Sequence, residues 1–361
     1  MSRSEKVISG VYLFAVYLYS VLYLSRKFNV ETELEDCIYV LAITSTVPCL
    51  TIMRINRLKL ANLLILLETS TEYKIKRSGE FQSEFQRPLP VVGRLTATLG
   101  ISGYIFGILA WLLTDKRNGL PFGAMPVWVN HNYTSCLLFQ VSIFFFLVIE
   151  YLSPEAIKMI IMLQLQTYFK YLRISIDELL EDSKREFCSI NKIASNLVSK
   201  NNVPWLYQQK QLKTIIVHHN YIIRIASETE EIFNKCVLVN FLNLSFIICI
   251  LLFRIANTSQ FNVEFFKLCI YLIGGSTLFF GDCYLTQRVL TENEAFAFSC
   301  YNVDFVGTNL PFQKSLILIM AKAQKSVRFT VGKFAPLSIV TLVTILRASY
   351  SYLMLLQNRR T

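Results

Sequence analysis

Histidine, charge and paired cysteines are scarce in this 361-residue chain. It contains three histidines and 17% charged residues. His131, His218 and His219 have no metal-ligand or catalytic-triad spacing, and none of the nine cysteines forms a CxxC motif. We therefore expect no enzyme activity, no bound metal or cofactor, and no disulfide framework. The net charge of +11 is spread over loops that also carry acids, which argues against nucleic acid as a partner.

Apolar residues dominate instead, at 53% of the chain, with a mean hydropathy of +0.43. A bilayer-spanning helix needs roughly 17 to 25 mostly apolar residues. The sequence has seven such runs, which predict an all-α membrane protein with seven transmembrane helices. The first follows basic residues but lacks a small-residue cleavage site, so we interpret it as a retained span. The predicted spans are Ile8–Leu24, Cys37–Met53, Leu95–Leu113, Tyr133–Leu152, Cys236–Phe253, Phe266–Leu285 and Phe334–Leu356.

Two glycosylation sequons indicate the orientation. They begin at Asn132 and Asn257, in or beside two connections that lie on the same side of the membrane. Placing both outside puts the N-terminus inside and the C-terminus outside.

In this orientation the long connections form cytosolic helical extensions. We divide the chain into spans one to four (1–152), a helical hairpin (153–235), spans five and six (236–285), further cytosolic helices (286–333) and a last span (334–361). The hairpin prediction rests on apolar residues at helical spacing after Ser153 and again before Cys236. Residues 313–324 are amphipathic, with Leu316, Ile317, Ile319 and Met320 as the apolar part, which predicts a further helix before the last span.

The last predicted span has an unusual polar face. Thr341, Thr344, Ala348 and Ser351 recur at spacings of three and four, and Arg347 lies within the same apolar run. A face of small and hydroxyl side chains is typical of a water-filled path or a close helix contact. The pattern indicates more than a membrane anchor.

Other classes of membrane protein fit less well. No acidic-Arg-Tyr triplet ends the third span and no Asn-Pro-x-x-Tyr occurs in the seventh, which argues against a G-protein-coupled receptor. The two halves show no repeat of the kind expected for a transporter.

The last third of the chain resembles the insect odorant receptors. The matching residues are Cys300-Tyr301, Phe312-Gln313-Lys314, Ala323-Gln324-Lys325, Gly332-Lys333-Phe334 with Pro336-Leu337, Ile345-Leu346, and Ser349-Tyr350-Ser351-Tyr352. Leu120-Pro121-Phe122 also resembles an outer loop of this family, while Phe305 stands where many members have Trp.

The resemblance implies an odorant-binding tuning subunit of a ligand-gated, non-selective cation channel in the plasma membrane. It implies a tetramer with a co-receptor subunit, joined through cytosolic anchor helices and surrounded by membrane lipid. The last span would line the pore through Thr344, Ala348 and Ser351, with Leu355 as the hydrophobic gate. The alternative is a homomeric channel of the gustatory-receptor type, although that family's C-terminal motif is not matched here.

The resemblance also implies an odorant pocket in the outer half of spans two, three, four and six. It would be rich in aromatic side chains and would take a small, volatile, mostly apolar odorant. Gly103 and Gly107 form a GxxxG pattern that either makes room for a ligand or lets helices approach. The candidate residues are Tyr39, Ile43, Gly103, Tyr104, Gly107, Trp111, Cys136, Phe139, Gln140, Ile143, Tyr271 and Leu272.

Overall fold

The computed structural model describes residues 34–69, 78–114, 133–192, 203–257, 263–325 and 327–358. These residues are almost entirely helical. The helices are α1 Leu34–Ile55, α2 Arg57–Thr69, α3 Ser78–Gln86, α4 Pro88–Thr114, α5 Tyr133–Asp177, α6 Leu179–Asn191, α7 Trp205–Asn257, α8 Val263–Asn302, α9 Leu310–Ala323 and α10 Ile339–Asn358. Strands β1 Thr330–Val331 and β2 Ala335–Pro336 form a hairpin between α9 and α10.

Three helices continue well beyond the predicted spans. Helix α5 has 45 residues, α7 has 53 and α8 has 40. The prediction that span four extends as a helix past residue 152 is confirmed, and α7 likewise includes the helix predicted before Cys236. The divisions predicted at 152, 235 and 285 therefore fall inside continuous helices.

The extensions of these helices pack into what we call the basal bundle: α2, α3, α6, α9, the β hairpin, and the parts of α5, α7 and α8 outside the predicted spans. Its core side chains are fully buried, as shown by Leu165, Phe169, Leu212, Phe296 and Phe312, each 0% exposed. The predicted amphipathic helix over residues 313–324 is confirmed as α9, which buries Phe312, Leu316 and Ile319 against this core.

The rest of the described chain, which we call the span region, consists of α1, α4, α10 and the predicted-span parts of α5, α7 and α8. Four helical stretches of the described chain are long and apolar enough to cross a membrane: Glu80–Phe106, which runs from α3 into α4, Tyr133–Asp177, Trp205–Ala256 and Phe265–Asn302. The shorter apolar stretch Ile339–Ser351 belongs to α10. These helices are those of a membrane protein.

The start of the last predicted span was wrong. Residues 334–338 are not helical, because Ala335 and Pro336 pair with Val331 and Thr330 in the hairpin. The turn uses positive φ angles at Gly332 (58°) and Lys333 (67°), a conformation that favours glycine. Helix α10 begins only at Ile339, after Ser338 Oγ accepts a hydrogen bond from the Thr341 backbone N–H (3.3 Å).

Candidate functional site

Aromatic side chains from three helices meet in the region predicted to bind a ligand. Tyr104 of α4 packs against Phe144 and Phe145 of α5, with ring centroids 5.8 Å and 5.4 Å apart. Its hydroxyl donates to the Val141 carbonyl at 3.3 Å. Phe106 of α4 meets Tyr271 of α8 edge-on at 5.6 Å. Two predicted residues thus take part in aromatic contacts of α4, Tyr104 with α5 and Tyr271 with α8, and we call these contacts together the aromatic belt.

Helix α5 contributes a buried polar position to this region. Cys136 and Gln140 lie one turn apart on the same face and are 4% and 1% exposed. Gln140 is hydrogen-bonded or otherwise paired within the protein. Leu272 of α8, also predicted, is half-buried and packs against the main core. The amide of Gln140 is therefore held in a fixed position rather than rotating freely in solvent.

The glycines of α4 behave differently from one another. Gly103 is exposed, and a Cβ added there would meet nothing within 4 Å. Gly100, one turn earlier, is the place where α4 approaches α5, since an added Cβ would lie 2.8 Å from Leu152 Cδ1. The close helix contact within the described chain is therefore at Gly100, and Gly103 leaves open space beside α4.

For several predicted positions the structure describes the backbone but not the side chain, and one position lies outside the described residues altogether. Asn132 lies outside the described residues. The following positions are helical, but their side chains lie outside the described part of the chain: Tyr39, Ile43, Gly107, Trp111, Phe139, Ile143, Asn257 and Leu355.

Helix α10 divides cleanly into two faces. Leu342, Ile345 and Ser349 are 6%, 4% and 3% exposed, because this face packs on α7 and α8. Thr344 and Ser351 lie on the opposite face and are exposed.

The predicted pore positions share that exposed face. Ala348 is exposed together with Thr344 and Ser351. The Thr344 hydroxyl donates to the Val340 carbonyl (2.9 Å) and the Ser351 hydroxyl to the Arg347 carbonyl (3.0 Å). Because each hydroxyl proton is used within the helix, its oxygen lone pairs are left to face outward. Arg347 is exposed and makes no ion pair with a described residue.

A chain of polar contacts connects four helices near the junction of the two regions. Cys49 Sγ of α1 donates to Asn240 Oδ1 of α7 at 3.6 Å, and Asn240 Nδ2 donates to Glu155 Oε1 of α5 at 2.7 Å. Lys158 Nζ lies 2.5 Å from Glu155 Oε2 and 2.6 Å from Asp282 Oδ2 of α8. We call these residues the polar junction.

The sequence prediction did not find the polar junction, and it also missed Phe106, Phe144 and Phe145. The three ring positions could have been suspected from the density of aromatic residues in spans three and four. The junction had a weaker signal, because Lys158 and Asp282 are 124 positions apart in the chain. Only their burial distinguishes Lys158 and Asp282 from ordinary residues at a span end.

Two titratable groups of the basal bundle are strongly affected by burial. His219 lies well before the predicted span Cys236–Phe253, is 1% exposed, and packs against the Phe296 ring with centroids 5.0 Å apart. Burial, together with the positive charge of Lys322, lowers the pKa of His219 to about 4. Burial, with a smaller effect of Asp177, raises the pKa of the Cys300 thiol to about 12. Both groups are therefore neutral at physiological pH.

The structure so far defines a helical membrane protein with a polar-faced last helix and a long basal bundle. The family model described as 7tm Odorant receptor matches residues 37–350. The chain therefore belongs to the odorant receptor family, as the sequence resemblance indicated.

Individual relatives and solved structures agree with the family match. Putative odorant receptor 85d of Drosophila melanogaster is 30% identical over 146 residues, covering 40% of this chain and 35% of that protein. Odorant receptor 67c of the same species is 22% identical over 253 residues, covering 70% and 55% respectively. The matched regions thus span about a third to a half of the length of these relatives.

The fold is that of a known insect olfactory receptor. The olfactory receptor OR5 of Machilis hrabei superposes with a TM-score of 0.77 at 14% identity, covering 98% of this chain and 89% of that one. Its complex with eugenol gives a TM-score of 0.75 at 16% identity, covering 99% and 90%. At this identity the likeness establishes the fold alone.

Proposed function

We propose that this chain is an odorant-binding tuning subunit of a ligand-gated, non-selective cation channel. Seven spans would cross the plasma membrane, with the N-terminus inside and the C-terminus outside. The observation that carries the proposal is the division of α10: one face is packed on the subunit, and the other presents Thr344, Ala348 and Ser351 to the outside of the single chain. A subunit whose helix lines a shared pore requires this arrangement.

The exposed face of α10 has the chemistry of a cation path. Hydroxyl oxygens whose protons are already donated within the helix can replace part of an ion's hydration shell. Leu355 continues the same face toward the end of the chain, so in the assembled channel it would form the apolar ring that prevents conduction until the helices separate. Arg347 lies at the edge of this face, where water in the pore would solvate its charge.

Assembly into a tetramer with a co-receptor would cover a second exposed surface. Large apolar side chains of the basal bundle face outward around the end of α8 and along α9: Phe298 and Tyr301 are each 65% exposed, Val306 81%, Ile317 63% and Leu318 70%. Exposed apolar surface of this kind marks an interaction site. We propose that these side chains form the anchor contact between subunits.

The aromatic belt is the proposed odorant site. Tyr104 and Tyr271 are its described members, Gln140 supplies a fixed amide, and Trp111 would extend the belt along α4. Eugenol, the ligand in the OR5 complex, is a small molecule. We propose that this chain likewise takes a small, volatile, mostly apolar odorant, held mainly by area burial and aromatic contact.

Cysteine accessibility tests the pore assignment. The chain would be expressed with and without an odorant receptor co-receptor, and odorant-evoked current recorded before and after an external, membrane-impermeant cationic thiol reagent. We expect current only with the co-receptor, and block in Ala348→Cys and Ser351→Cys. Ser349→Cys is the matched control, since Ser349 is 3% exposed on the packed face. If the reagent blocks the current of all three variants equally, or of none, the assignment of this face to the pore is wrong.

A second pair of variants tests the odorant site in the same recordings. Tyr104→Ala removes a ring that packs against Phe144 and Phe145, so we expect the potency of at least some odorants to change by about tenfold, the effect of roughly 1.4 kcal/mol of lost contact. Phe280→Ala is the control, because Phe280 is an exposed ring of α8 outside the belt. An unchanged response profile for Tyr104→Ala would remove Tyr104 from the site.

A further inference from the structure

The polar junction carries an unbalanced charge. Glu155, Lys158 and Asp282 are 4%, 2% and 6% exposed, and the single ammonium group pairs with both carboxylates. With all three ionised, the buried group has a net charge of −1. The other contacts to Glu155 in the described chain come from the neutral Asn240 amide. A buried charge without compensation costs several kcal/mol, so this site favours the uptake of a positively charged group, either a proton or a cation.

A cavity lies directly beside these carboxylates. Its volume is about 60 Å³, and its lining includes Glu155, Asp282, Asn240, Asn243 and Tyr151 together with apolar side chains of α7 and α8. Lys158 is not among the residues that line it. The polar lining therefore consists of oxygen-bearing side chains with no cationic group among them.

One acceptor atom at the cavity is buried and lacks a hydrogen-bond donor. Asn243 Oδ1 has no hydrogen-bond partner among the described residues. Glu155 Oε2, by contrast, is ion-paired with Lys158 Nζ at 2.5 Å. A buried oxygen without a donor indicates that a group in the cavity interacts with it. This observation is independent of the charge count and leads to the same conclusion.

We propose that this cavity binds one monovalent inorganic cation, Na⁺ or K⁺, through the Glu155 and Asp282 carboxylates and the Asn243 amide oxygen. Hard oxygen ligands suit such ions. No group of three or more His, Cys, Asp or Glu among the described residues could hold a metal ion, so the site offers too few charged ligands for a tightly bound divalent cation. The bound ion neutralises the junction and links α5, α7 and α8.

Thermal unfolding of the full-length protein in detergent tests the site without requiring channel activity. Unfolding would be followed in NaCl, in KCl and in N-methyl-D-glucamine chloride at equal ionic strength, the organic cation being too large for the cavity. Binding to the folded state alone raises Tm. We expect Na⁺ or K⁺ to raise Tm by about 2 °C or more over the organic cation, and the two salts to distinguish which ion is preferred. Identical Tm in all three salts would overturn the proposal.

Glu155→Gln is the decisive variant. It keeps an oxygen to accept from Asn240 Nδ2 but leaves Lys158 and Asp282 as a neutral pair. We expect its Tm to become independent of the salt. Glu84→Gln, which removes a half-exposed ion-pair partner of Lys170, is the control that should retain the cation effect. A cation effect that persists in Glu155→Gln would overturn the proposal.

Asn243→Leu provides a second test should Glu155→Gln fail to fold. It preserves the charges of the junction and removes one proposed ligand, so we expect the difference in Tm between Na⁺ or K⁺ and the organic cation to shrink. If this difference in Tm is the same as in the wild type, the assignment of Asn243 as a ligand is overturned. A wild-type Tm independent of the salt, combined with a higher Tm for Glu155→Gln in every salt, would show that a proton rather than a metal ion balances the charge.

Discussion

The basal bundle and the span region bury their apolar residues to very different extents. Leu165, Phe169 and Phe296 of the basal bundle are 0% exposed. In the four span-length helices, the most apolar stretches have only 11% to 28% of their residues buried within the single chain. The basal bundle completes its own core, whereas the span region leaves most of its apolar surface for lipid or neighbouring subunits to cover.

The difference shows where the stability of one subunit originates. Folding of the basal bundle removes apolar area from water. In a membrane, by contrast, the lipid-facing residues of the spans are in an apolar medium whether or not the helices have associated. Helix association there depends on close contacts such as Gly100 against Leu152 and on polar links such as the polar junction. The span region is therefore the part that can rearrange with little loss of hydrophobic burial.

The largest expected effect comes from truncating matched leucines in the two regions. Leu165→Ala creates a cavity in the basal bundle and should lower the free energy of unfolding by about 2–5 kcal/mol. Leu138→Ala, at a position 66% exposed on α5, should change it by about 0.5 kcal/mol or less. Thermal or denaturant unfolding in detergent would measure both. Equal losses of unfolding free energy in the two variants would show that the regions do not differ in how much their buried side chains contribute to stability.

Gly332→Ala tests the link between the regions. Its φ is 58°, and an added Cβ would lie 2.6 Å from Leu238 Cδ2 on α7, so overpacking should cost about 1–3 kcal/mol in addition to backbone strain. Gly307→Ala is the matched control, because Gly307 has a φ of 78° but open space around it. The double variant Gly332→Ala/Leu238→Ala should recover the overpacking part in unfolding measurements. A Gly332→Ala loss no larger than that of Gly307→Ala would contradict the close contact.

The third effect is a pH dependence that originates in the basal bundle. The folded pKa of His219 is about 4, below the ordinary value of 6.5, so the unfolded chain binds more protons between these values. Stability is fully present above pH 6.5 and falls as the pH drops toward 4, by up to about 1.4 kcal/mol per pH unit. His219→Gln should flatten the pH profile of Tm in this window. A profile unchanged by the substitution would mean that other groups, such as His218, cause the dependence.

Much of the helical layout could be predicted from the sequence. Apolar runs located the long helices, and the spacing of Leu316, Ile319 and their neighbours predicted α9. The polar face of α10 followed from the spacing of Thr344, Ala348 and Ser351. The prediction failed at residues 334–338, because the pairing of Ala335 with Val331 depends on a turn whose backbone conformation outweighs the apolar run.

The candidate site was predictable only in part. Tyr104 and Tyr271 were selected from their place in the spans, and both make aromatic contacts in the structure, while their role in binding stays a prediction. For Gly103 the sequence left open whether it makes room for a ligand or lets helices approach, and in the structure open space lies beside it while Gly100 makes the close approach of α4 to α5. The facing direction of a helix residue depends on the rotation of the whole helix against its neighbours, which the local pattern does not fix.

The sequence by itself determined that this chain is a helical membrane protein of the odorant receptor family, because apolar length and short motifs are local properties. Only the tertiary structure decided that Glu155, Lys158, Asp282 and Asn240 share one buried site. Each of them alone looks like a polar residue near the end of a span. Their combined charge affects the energy of the fold only when three helices bring them together, because the energy of a buried charge depends on the groups that surround it in space.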